Sequence, residues 1–179
     1  SGKKKKKKSP QAISTSIFTG KCEDIKDHVY DSVPGKNGFD VFVKTTREIS
    51  EYIARTIKDG GEFRVALDPD VLAFTPLTEP TLAAGDENNP VLVKKWEIKY
   101  RAFSDAEERR TKATSQAFAI VLGQCSPTVV DRIKSSASYD QISAGDDVIE
   151  LLKLIRTSMY TGATSKNAMH SLIDARTKF

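Results

Sequence analysis

The chain has 179 residues, of which 39% are hydrophobic and 29% charged, with a formal net charge of +4. A chain of this length buries roughly two-thirds of the surface its unfolded form exposes, so one independently stable core is expected, alone or with a tail. The charge is unevenly placed. Lys3 to Lys8 are six consecutive lysines, and without them 22 basic side chains face 24 acidic ones. The basic isoelectric point therefore belongs to the tail, and composition gives no ground for a nucleic-acid-binding globular surface.

No secretory signal is recognisable, because the lysines are followed by Ser9-Pro10-Gln11-Ala12-Ile13 and not by an apolar core. Cys22 and Cys125 then read as two free thiols in a reducing, cytoplasmic setting, with nuclear import available through the lysine run. The longest apolar run, Ala117 to Leu122, falls far short of the ~20 residues a membrane span needs, so no membrane partner is expected. The chain starts at Ser1 and stops at Phe179, which reads as a fragment, a processed product or an engineered chain.

Taken in order, residues 1–16 hold the lysines, Pro10 and scattered hydroxyl side chains, a composition that repels itself and predicts disorder. The region 17–179 is predicted to be one helical domain. Ile17 to Asp31 carries Phe18, Ile25, Val29 and Tyr30 among charges and is expected to dock on later helices; Ser32 to Gly38 reads as a turn or loop. Phe42, Ile49, Ile53 and Ile57 recur at helical spacing with charges between, predicting an amphipathic helix from Phe39 that Gly60-Gly61 closes with a left-handed cap.

Glu62 to Asn89 contains Pro69, Pro76 and Pro80 and predicts short turns and a long loop, with Phe63 to Leu67 compatible with one helical turn or a short strand. After Pro90, which suits a first helical turn, Trp96, Tyr100, Phe103, Ala106, Ala113, Ala117, Ile120 and Val121 keep one face apolar for about eight turns, about 45 Å. Ser104 has capping-box spacing to Glu107, so a break there and an uninterrupted helix are both compatible. Ser126-Pro127 caps a short helix with Val129, Val130 and Ile133 inward. A loop from Ser135 to Gly145 precedes a helix burying Val148, Leu151, Leu152, Ile155 and Met159, and a last helix after Thr164-Ser165 buries Met169, Leu172 and Ile173. No run alternates with period two, so the expected fold is all-α, a compact bundle of about five to seven helices. The expected core anchors are Phe18, Phe42, Trp96, Tyr100, Phe103, Leu151, Leu152 and Ile155.

Catalytic vocabulary is sparse. Cys22, His28, Cys125 and His170 are the only Cys and His side chains, with no Cys-x2-Cys pair, so neither a metal site nor any cofactor is expected. Cys125 as a nucleophile would need a depressed thiol pKa; a small buried side chain at a helix junction is the commoner role. Gly35-Lys36-Asn37-Gly38 lacks the Walker spacing. Asp68-Pro69-Asp70 and Asp146-Asp147 read as turn and helix-start acids. No catalytic residues are assigned, and no enzyme is expected. Lys3, Lys4, Lys5, Lys6, Lys7 and Lys8 would bind RNA through its backbone; six neutralised phosphates give a log–log salt slope of about −4 on a single strand. Without interleaved aromatic residues this binding would not be sequence-specific. A nuclear import signal and a solvated tail are the other readings of the run.

Phe18-x-Gly20-Lys21, Ile25-Lys26-x-His28-Val29-Tyr30-Asp31, Phe42 to Tyr52, Trp96-Glu97, Gly123-Gln124-Cys125 and Leu151-Leu152-Lys153-x-Ile155 share an order and spacing. In these the chain resembles the Gag polyprotein of copia-type long-terminal-repeat retrotransposons, especially copies from diatoms and related algae. The resemblance covers nearly all of residues 17–179. It implies an N-terminal capsid-like lobe that self-associates into virus-like particles and packages RNA, with the Phe-x-Gly segment packed on the core and the Trp96 helix as scaffold. Where many relatives carry a Trp in the penultimate helix, this chain has Asp147-Val148-Ile149-Glu150-Leu151. The alternative function is a nucleic-acid-binding adaptor, a domesticated Gag fragment, acting through Lys3 to Lys8.

Overall fold

The computed structural model describes residues 18–161, so the lysine run and the helix expected after Thr164-Ser165 lie outside the described residues. Those residues form an all-α fold of six helices. They are α1 (Gly38–Thr56), α2 (Phe63–Ala66), α3 (Pro90–Gly123), α4 (Pro127–Lys134), α5 (Tyr139–Ala144) and α6, helical over 148–161. Three 3-10 turns, Glu23–Ile25, Gly60–Glu62 and Asp86–Asn88, complete the order.

Local chemistry explains the helix boundaries. Asn37 opens α1 by accepting from the Phe39 N–H at 3.0 Å. Asn89 opens α3 by accepting from Val91 N–H at 3.0 Å, with Pro90 at the first helical position, where its missing N–H costs nothing. Ser126 and Pro127 start α4 in the same manner, the hydroxyl accepting from Val129 N–H. Asp147 starts α6 by accepting from Glu150 N–H at 3.0 Å.

α1 ends earlier than Gly60-Gly61 suggests. Its last residue is Thr56, Ile57 turns extended, and the left-handed residue is Asp59 at φ 61°. Gly60 is required for space instead: a Cβ there would stand 2.6 Å from the Ile53 carbonyl oxygen. Phe63 to Ala66 resolves as the short helix α2, and α5 occupies part of the stretch expected as a loop from Ser135 to Gly145. α3 is uninterrupted through Ser104 and 34 residues long, about 51 Å at 1.5 Å per residue.

The core lies among α1, α2, the C-terminal part of α3, α4 and α6. Phe42, Ile49, Ile53, Phe63, Leu67, Val121, Val129, Leu151, Leu152 and Ile155 are each at most 1% exposed. Of the expected anchors, Phe42, Leu151, Leu152 and Ile155 sit here, while Phe18 is half-buried at its margin. Trp96, Tyr100 and Phe103 do not, and expecting them there requires correction. The first buried residue of α3 is Ala113, so the three rings stand on turns that have already left the bundle. Continuous helical periodicity kept their face apolar, but periodicity carries no information on where the bundle stops.

The segment from Phe18 to Tyr30 is clamped to the junction between α3 and α4. Tyr30 N–H donates to the Gln124 carbonyl at 2.8 Å and its own carbonyl accepts from Ser126 N–H at 2.9 Å, an isolated parallel bridge. The Gln124 side chain, fully buried, accepts from Cys22 N–H at 3.0 Å and donates to the carbonyls of Ile25 at 2.8 Å and His28 at 3.0 Å. One amide thereby satisfies three backbone groups of a segment with almost no secondary structure of its own. Gly20 lies against this amide so closely that a Cβ would overlap it.

Candidate interaction surface

The feature that sets this molecule apart from a compact bundle is the first part of α3. None of residues 90–112 is buried. Their apolar face carries a ladder of rings, Trp96 to Tyr100 at 5.3 Å and Tyr100 to Phe103 at 6.0 Å between centroids. What meets this face is the proline-punctuated segment between Leu72 and Asn89. Trp96 Nε1 donates to the Pro80 carbonyl at 2.9 Å, which satisfies the indole N–H and ties the segment to the helix.

The base of this arm is pinned by Arg110. Its Nε and Nη2 donate to the two carboxylate oxygens of Glu62 at 3.0 and 2.7 Å, a bidentate pair, and its guanidinium lies 5.1 Å from the centroid of the Phe74 ring. Phe74 in turn meets Phe63 edge-on at 5.1 Å. A chain of contacts therefore connects the arm through Phe74 to the buried α2. The sequence does not announce the Glu62–Arg110 pair, since a carboxylate and a guanidinium 48 positions apart give no periodic signal.

On the side away from the rings, Val91 and Ile98 are 63% and 62% exposed. Charge along this part of α3 comes in blocks. Lys94, Lys95, Lys99 and Arg101 surround Glu97, then come Asp105, Glu107 and Glu108, then Arg109, Arg110 and Lys112, giving +3, −3 and +3. The Lys94–Glu97 and Lys112–Glu108 pairs, at 3.1 and 2.6 Å, are exposed intrahelical bridges of small energy. The hydrogen bond and charge of Lys112 hold the Glu108 carboxyl below its ordinary value, so it stays ionised.

The residues weighed for chemistry are dispersed. Cys125 is buried, its Sγ donating to the Val121 carbonyl at 3.4 Å, and desolvation pushes its thiol up to about 12. It is thus protonated at neutral pH, the reverse of what a nucleophile needs. His28 is half-buried with Nε2 4.0 Å from a Glu48 carboxylate oxygen, and His170 lies outside the described residues. Asp68 closes a turn by accepting from Asp70 N–H at 2.9 Å, and Asp146 accepts from the Ser115 hydroxyl at 2.7 Å. Among the described residues no three His, Cys, Asp or Glu side chains gather as a metal site would require, and no helix is long and apolar enough to cross a membrane.

An open cavity of about 490 Å³ lies between α4 and α6, lined by residues that include Arg132, Ser135, Ser136, Leu154 and Thr157. Its lining offers no carboxylate, thiol or imidazole, and Arg132 already donates to the Ser32 hydroxyl at 3.0 Å. The arm is consequently the surface on which a functional reading can be built. Comparison with known proteins finds no matching family model, curated protein or solved structure.

Proposed function

We propose that this protein is a self-associating structural module, a capsid-like lobe of a retrotransposon Gag protein that contributes to particle assembly and acts through surfaces, not through a reaction centre. The observation that carries this reading is the emergence of α3 from the bundle. A helix interior to a monomer has no need of about 34 Å of further turns beyond its last core contact, nor of exposed Val91 and Ile98 on them. An arm of this kind offers a partner a long, shallow contact. Such contacts are individually weak, and assembly multiplies them through repetition.

In this scheme RNA is held by Lys3 to Lys8 as a sequence-independent backbone contact, which leaves the folded body free for protein contacts. Sedimentation velocity over a concentration series, with and without RNA, tests the reading. Concentration-dependent growth without RNA is expected. A chain that stays monomeric and shifts only when RNA is added, and loses that shift on deletion of residues 1–9, would replace it with the nucleic-acid adaptor.

A further inference from the structure

Resting on the self-association reading, the arm itself specifies how two copies meet. Val91, Lys95, Ile98, Ala102, Asp105 and Arg109 follow one another at spacings of 4, 3, 4, 3 and 4 and are all exposed, which is the seam spacing of a helix pair. This seam lies opposite Trp96 and Phe103, on whose face the Pro80 segment is bonded at Trp96 while Tyr100 is 39% exposed. Two apolar positions and one alanine make a poor seam for an isolated helix, so charge decides its partner and direction.

We infer that the occupant of this seam is the same arm of a second copy, lying antiparallel. Turning a second copy end for end about the level of Tyr100 sets Ile98 on the second copy's Ala102 and Lys95 on its Asp105. Val91 then meets the aliphatic stem of its Arg109, and each of these contacts occurs twice by symmetry. Lys94 and Glu108, on the flank of the seam, oppose each other in the same register. Lys94 and Lys95 thus lie along the acidic residues 105–108 of the other copy, whereas Lys99 and Arg101 come level with the other copy's Arg101 and Lys99. A parallel pair would instead place Lys95 on Lys95 and Asp105 on Asp105, which repel. The Lys99 and Arg101 side chains of both copies gather around the symmetry axis and oppose association, which keeps the pair weak and salt-sensitive.

Charge reversal tests this without touching the core. K94E/K95E makes one flank of the arm acidic, and D105K/E108K makes the other basic; the four positions are exposed, and unchanged thermal melting verifies that each variant folds. After nuclease treatment and in low salt, each variant alone is expected to self-associate at least ~10-fold more weakly than the parent chain, while an equimolar mixture forms the mixed pair. Undiminished association of both variants alone would overturn the arm pairing and leave self-association standing on another surface. A parent chain that remains monomeric, together with a mixture that does not associate, would remove both. Association abolished by nuclease would assign the basic block to RNA and overturn the pairing. Direction is read by oxidising mixed single-cysteine variants in a Cys22→Ser background. I98C with A102C is expected to cross-link, and an I98C homodimer as the main product would overturn the antiparallel arrangement.

Discussion

Gln124 Nε2 lies 2.8 Å from the carbonyl oxygen of Ile25, a residue 99 positions earlier, and this contact fastens the N-terminal segment to the end of the longest helix. The same amide also serves His28 and Cys22, so one side chain bonds three backbone groups. Gln124→Ala is expected to cost about 2–3 kcal/mol, because it removes the bonds to the Cys22 N–H and the His28 carbonyl in a partly dry site, while the Ile25 carbonyl keeps the His28 N–H at 2.9 Å. Gly20→Ala is expected to destabilise by a similar route, since its Cβ would push into the amide. Urea denaturation of the single and double variants checks both, with the double costing less than the sum because the two changes remove one shared arrangement.

The Tyr30 hydroxyl lies 2.8 Å from the Thr46 Oγ1 in a fully buried setting, and its ring packs on Phe42 at 5.9 Å. Tyr30→Phe keeps the packing and strands the threonine hydroxyl, for an expected loss of about 1–2 kcal/mol in chemical denaturation. Thr46→Val in the same background removes the stranded hydroxyl and should recover part of that loss.

Burial raises the pKa of several groups, most of all the Cys125 thiol, from an ordinary 9.0 up to about 12, and the Tyr30 phenol, above its ordinary value. Both are neutral when protonated, and the folded state holds their protons more tightly than the unfolded state does. Their contribution is therefore complete below about pH 9 and declines as pH rises from there, first for the thiol and then for the phenol. Denaturation midpoints measured from pH 7 to 11 should be level up to about 9 and fall beyond it. Cys125→Ala removes the buried thiol's part and should make the fall beyond pH 9 shallower, with the Cys22 thiol and the Tyr30 phenol supplying what remains, at a cost of about 1 kcal/mol at pH 7.

Trp96→Ala is expected to separate the arm from the bundle. Trp96 is half-buried on turns that carry no buried residue, so the main unfolding transition should move by less than that of Phe42→Ala, which empties a fully buried site at about 3–5 kcal/mol. Cleavage at Glu79 by a glutamate-specific protease should instead quicken several-fold, because the Trp96 hydrogen bond to Pro80 holds that segment on the helix.

Arg110→Ala removes a bidentate carboxylate pair and the cation over Phe74 together, for an expected 1–2 kcal/mol or so. Arg110→Lys should recover only part, since an ammonium cannot donate in parallel to both oxygens of Glu62. Thermal melting of the two variants distinguishes fork geometry from charge alone.

The all-helical class and most helix identities are written locally. Phe42, Ile49 and Ile53 recur at the helical period, Asn89-Pro90 and Ser126-Pro127 announce helix starts, and Leu151, Leu152 and Ile155 form an inward stripe. Such signals act between residues a few positions apart, where spacing along the chain and distance in space are nearly the same quantity. The tertiary structure alone decided which part of an apolar face finds a core. Trp96 and Ala117 stand on one face of α3, yet only Ala117 is buried, because the C-terminal turns of α3 join the core cluster and the earlier ones stand outside it. It also decided the placing of Gln124 beside Ile25 and of Glu62 beside Arg110, pairs 99 and 48 positions apart. Contacts across such separations depend on the path of everything between them, and the free energy that selects the path belongs to the whole core, not to the pair.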